Sequence, residues 1–143
     1  MDNKGNIFIL VILVMILGLA PVSAQEPNAF TRPTSVAFKG ESPNWIVEHR
    51  LYLVGTDVDY ETKITYRGED QTIIGSPSLR YTIDDQEGGY ITDTFSLNKA
   101  HLFQSKRLAC YGCKYLDKKK EITVTIGEWE DYEEKIVLKA LKK

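Results

Sequence analysis

Ile122-Thr123-Val124-Thr125-Ile126, followed after a short interval by Lys135-Ile136-Val137-Leu138-Lys139-Ala140, decides the fold. In both runs apolar side chains recur at every second position, with threonines and lysines between them. A period of two puts one face of each run against a core and the other in water. The two runs therefore read as a hairpin that sets Ile122, Val124 and Ile126 against Ile136, Leu138 and Ala140. Strict alternation beyond Ile126 would bury Glu128 and expose Trp129. The pattern thus predicts a bulge near Gly127 that reverses the parity and turns Trp129 inward, because an indole ring in a free turn leaves a large apolar area wet.

The same period runs through the preceding chain. The first strand it yields carries Trp45, Val47, Leu51 and Leu53 on one side, with His49 among them and Glu48 and Arg50 opposite. Gly55 and Asp57 supply turn chemistry, and Thr62, Ile64 and Tyr66 return as a second strand up to Gly68-Glu69-Asp70. A brief apolar step, Ile73-Ile74, is ended by Gly75 and Pro77. Leu79, Tyr81 and Ile83, then Ile91, Asp93 and Phe95, make another hairpin around the acidic, glycine-bearing turn at 84–89. Residues 97–108 read as irregular. Short strands at near-regular spacing, with no long helix after residue 24, define an all-β domain; an antiparallel sandwich fits best, with a small barrel as runner-up.

The N-terminus has a different character. Lys4 precedes an apolar run from Ile7 to Ala20, broken only by Gly18, and Val22-Ser23-Ala24 offers the small residues a signal peptidase reads. Residues 1–24 are read as a secretory signal, forming an N-terminal signal helix, 25–33 as a flexible leader containing Pro27 and Pro33, and 34–143 as the domain. Crossing a bilayer takes roughly 20 apolar residues, more than this run supplies, so membrane contact is expected only through the signal if it stays uncleaved. The expected location is secreted or at the extracytoplasmic cell surface.

The net charge of −2 over 143 residues argues against nucleic acid as a partner, since phosphate backbones are held by clustered Lys and Arg. Catalysis finds little support: the chain has two histidines and no Gly-x-Ser-x-Gly elbow. No cofactor is expected. Calcium at the acidic turn would need six to eight oxygens at a loop spacing that is absent. His49 is read as a core histidine satisfied by a backbone partner. Zinc would require it together with His101, Cys110 and Cys113, at a spacing that forms no local motif.

Cys110-Tyr111-Gly112-Cys113 holds both cysteines of the chain. A tight turn brings its first and fourth Cα atoms within about 7 Å, a separation that a disulfide accepts. The structural reading is therefore a local staple, Cys110 to Cys113. The alternative is extracytoplasmic thiol-disulfide chemistry by the same two residues, which usually operates at a helix N-terminus rather than before a β-hairpin.

Phe38-Lys39-Gly40-Glu41-Ser42-Pro43-Asn44-Trp45, the Cys110 to Cys113 motif and the hairpin from Ile122 to Leu138 resemble small exported proteins of Bacillus-like Gram-positive bacteria. The resemblance implies an immunoglobulin-like β-sandwich and carries no activity with it. This chain departs from that group in lacking a lipid-bearing cysteine and in placing Gly127-Glu128 before Trp129.

Eight tyrosines are many for this length, and those outside the core favour contact with proteins or sugars, because a rigid ring adds area at little entropic cost. Tyr111 and Tyr115, beside the cysteines, are the candidate binding residues. The function expected is non-enzymatic binding of another protein or a cell-wall polymer.

Overall fold

The computed structural model describes residues 34–86, 88–116, 120–127 and 132–142. The segments read as signal and leader, the expected charged turn at 117–119 and Trp129 with its expected surroundings lie outside the described residues.

Nine antiparallel strands and one turn of helix make up the described chain: β1 (Ser35–Glu41), β2 (Trp45–Val54), β3 (Asp57–Tyr66), α1 (Gln71–Ile74), β4 (Leu79–Asp84), β5 (Tyr90–Phe95), β6 (Leu102–Gln104), β7 (Leu108–Cys110), β8 (Glu121–Gly127) and β9 (Glu133–Ala140). They form one continuous sheet in the order β5-β4-β8-β9-β1-β2-β3-β6, with β7 also on β3. The all-β antiparallel expectation holds. The sheet curls into a barrel-like arrangement, the runner-up of the sequence reading. Its two edges meet through rings, Phe95 of β5 lying 5.1 Å from Phe103 of β6 between centroids and Tyr81 of β4 6.1 Å from the same ring.

The alternation seen in the sequence is the alternation of burial. Trp45, Val47, His49 and Leu51 of β2 face inward, as do Val58, Tyr60, Thr62, Ile64 and Tyr66 of β3 and Leu79, Tyr81 and Ile83 of β4. Apolar atoms on one face of each strand share a single interior, and removing them from water supplies the main drive to fold. The hairpin of β8 and β9 forms with Val124 opposite Ile136 and Ile122 opposite Leu138. Ala140, expected in the same pairing, lies instead opposite Phe38 of β1. Pairing stays regular through Gly127 opposite Glu133, so the expected bulge does not fall within the described ladder.

Three features correct the sequence reading. β1, which the pattern did not yield as a strand, joins the β5-β4-β8-β9 half of the sheet to the β2-β3 half. Its approach to β9 is close enough that a Cβ on Gly40 would press on the Val137 carbonyl and meet a Leu138 methyl at 2.8 Å. Residues 97–108, read as irregular, contain the two short strands β6 and β7. The Ile73-Ile74 step is a helical turn, capped where Asp70 Oδ1 accepts the Thr72 N–H at 2.8 Å, and it delivers Ile73 to the core.

The end of the barrel at the β1–β2 turn is pinned by a polar relay. Trp45 Nε1 donates to the Tyr132 hydroxyl at 2.9 Å, which donates to Glu134 Oε2 at 2.8 Å, and Asn44 Nδ2 donates to the same oxygen at 3.1 Å. Burial would raise the Glu134 carboxyl, but hydrogen bonds from Ser42, Tyr132 and Asn44 outweigh it and hold the group below its ordinary value.

Candidate functional site

The opposite end of the barrel collects the sequence features that carry chemistry. β7 pairs with the start of β3, Cys110 opposite Val58, and the chain then turns through Gly112, whose φ of 87° suits a residue without a side chain. Cys110 and Cys113 stand at disulfide distance, with Cα atoms 5.5 Å apart. Three residues on, Leu116 is buried among the core side chains, and Cys113 and Tyr115 pack partly against them. The segment from Cys110 to Leu116 is therefore a cap, with the cysteine pair at its root and Leu116 as its plug.

Beneath the cap lies a polar interior that the sequence only hinted at. His49, 2% exposed, pairs with the residue directly across the ladder: its Nδ1 is 3.0 Å from Thr62 Oγ1. The partner is a side chain, where a backbone group was expected. Tyr60 packs beside the imidazole, with centroids 5.8 Å apart. Burial lowers the His49 pKa to about 4, so the ring is neutral near pH 7. His49, Asp85, Cys113, Lys114 and Leu116 border a cavity of about 10 Å³, room for one water at most. The Tyr81 hydroxyl is shut in and makes no hydrogen bond of ordinary geometry among the described residues, with Thr62 its nearest polar neighbour. Burial first, then the neighbouring Tyr60 and Asp93, pushes that phenol well above its usual range, against a smaller opposing pull from Thr62.

The chemistry of this end is restricted. Asp84 Oδ1 accepts the Gln86 N–H and Asp85 Oδ1 the Gly89 N–H, each at 2.7 Å, so both carboxylates are committed to shaping the turn. The zinc set does not assemble. The His101 carbonyl accepts the Tyr66 N–H at one end of β3, while Cys110 pairs with Val58 at the other, about 27 Å away at strand rise. Among the described residues no group of three or more His, Cys, Asp or Glu is placed to hold a metal. Cys110 closes a strand and does not open a helix, where thiol-disulfide chemistry usually operates.

Of the two candidate binding residues, the structure separates one from the other. Tyr111 is 98% exposed at the tip of the cap. Tyr115 is partly buried and packs on the core, a cap residue rather than a presented ring. Register carries Tyr111 past Val58 toward the β2–β3 turn, where Val54 is also exposed, and Tyr90 at the start of β5 stands 69% exposed at this same end. Neither Val54 nor Tyr90 was singled out from the sequence; both follow the outward parity of their strands.

No family model, no curated protein and no solved structure matches the chain. Among the described residues no helix is long and apolar enough to cross a membrane.

Proposed function

We propose that this is an exported, non-enzymatic binding domain that contacts a protein or a cell-wall polymer through the stapled cap. The single observation behind this reading is Tyr111, almost wholly in solvent on a short loop whose root is a cysteine pair and whose far side is anchored by Leu116. A ring in water is an unfavourable use of apolar area, and a ring held rigidly loses little entropy when a partner covers it. A cysteine pair at disulfide distance accords with an oxidising, extracytoplasmic setting. Kinship with the exported immunoglobulin-like proteins of Gram-positive bacteria belongs to the same proposal.

The test is recovery of ligands from cell-wall and culture fractions on immobilised wild type, Tyr111→Ala and Cys110→Ser/Cys113→Ser proteins. The wild type should retain a fraction component, Tyr111→Ala should lose most of it, and the serine variant should weaken it while leaving the far end of the barrel folded. Equal retention by Tyr111→Ala, or hydrolytic turnover in a substrate screen, overturns the reading.

A further inference from the structure

The outer face of β1, β2, β3 and β6 carries a charged groove away from the cap. Ala37, Glu48, Arg50, Glu61, Lys63 and Gln104 line a groove of about 180 Å³, which the inward-facing His49 also borders. Two rows cross it. Ala37 lies opposite Arg50, which lies opposite Glu61; Glu48 lies opposite Lys63, which lies opposite Gln104. Ala37 is the one short side chain among long neighbours, so the others stand around a low point.

The acids of the groove are engaged and its basic groups are not fully used. Glu48 is taken by Lys39 at 3.2 Å, outside the groove lining. Glu61 Oε1 accepts the Tyr52 hydroxyl at 2.6 Å and faces Arg50 Nε at 3.8 Å, near the limit of an ion pair. Lys63 has no ion pair among the described residues, although Glu48 is its direct neighbour across the ladder. Arg50 and Lys63 occupy diagonal positions on adjacent strands, a spacing of about 7–8 Å that lets two long cationic side chains converge on one anion. Both supply charge-assisted donors, and the Gln104 amide adds a neutral donor and acceptor beside them.

We propose that this groove binds one oxyanion, a carboxylate or a phosphate, borne by a small polar molecule, with Lys63 and Arg50 holding the anion and Gln104 an adjoining hydroxyl or amide. Typical ligand pockets run about 300–1,000 Å³, so a groove of about 180 Å³ suits a single sugar acid or a phosphorylated headgroup fragment.

Backbone amide shifts of the isotope-labelled protein, titrated in turn with sodium glucuronate, inorganic phosphate and glucose, test it. Saturable shifts clustered on Ala37, Arg50, Lys63 and Gln104 are expected with at least one anion, the responding probe naming the source, and none with glucose. Lys63→Gln should weaken binding by roughly tenfold or more, the loss of one charge-assisted contact, while Lys63→Arg retains it. Absence of saturable shifts with both anions, an equal response to glucose, or unchanged affinity in Lys63→Gln overturns the proposal.

Discussion

Acidification should weaken this fold through His49. The imidazole is enclosed by Tyr60 and Thr62 of β3 and by the cap, with Asp85 and Lys114 on the same small cavity. Its pKa falls from 6.5 to about 4 because burial disfavours the charged ring. The unfolded chain therefore takes up the proton first as pH drops. The contribution of neutral His49 is complete above pH 6.5, declines as pH falls from there toward 4, and levels off below 4. A displacement of about 2.5 units corresponds to about 3 kcal/mol in full, and to about 2 kcal/mol at pH 5. Urea unfolding of wild type and His49→Leu at pH 7.5 and pH 5 isolates this contribution, since the carboxylates are common to both proteins. The leucine variant starts lower, because Thr62 loses its partner, but the wild type should lose about 2 kcal/mol more between the two pH values. Parallel losses would refute the reasoning and place the proton elsewhere.

Gly40→Ala should cost about 1–3 kcal/mol by overpacking β1 on β9, read as a fall in the urea midpoint with an unchanged slope. Tyr81→Phe removes a buried hydroxyl that makes no hydrogen bond of ordinary geometry and should be neutral or stabilising by about 1 kcal/mol in thermal unfolding, whereas a destabilisation of that size would show that Thr62 holds it. Tyr132→Phe strips a partner from both Trp45 and Glu134 and should cost about 1–3 kcal/mol, with the Glu134 carboxyl titrating higher by carbon-detected NMR.

Period-two alternation made β2, β3, β4, β5, β8 and β9 legible, because each has one face in a continuous core and the other in water. β1 was missed for a physical reason: its inward residues are only Val36 and Phe38 before Gly40, too few for a periodic signal, and its place is set by neighbours on both sides. β6 and β7 are three residues each, shorter than any pattern can mark, and exist because β3 offers them a ladder. Near-neutral alternation also could not distinguish two packed sheets from one curled sheet, since both bury every second side chain; the rings of Phe95 and Phe103 decide it through tertiary contact. At the candidate site, the cysteine spacing announced a tight loop and the count of tyrosines named Tyr111 and Tyr115 alike, but which of the two is exposed and the pairing of His49 with Thr62 were invisible. That pairing depends on register between strands that the sequence does not state, and so do Arg50 and Lys63 on the outer face.

The bridging place of β1 also sets an order of events. β1 opens the described chain, and its far neighbour β9 closes it, with Phe38 opposite Ala140. Pairing across such a separation carries a loop-closure cost and comes late. The β2–β3 hairpin can form as soon as it is made, but the two halves of the sheet cannot be joined until β9 arrives. A chain delivered N-terminus first thus remains an unclosed sheet until β9 is available, and that strand acts as the latch that commits it to the folded state.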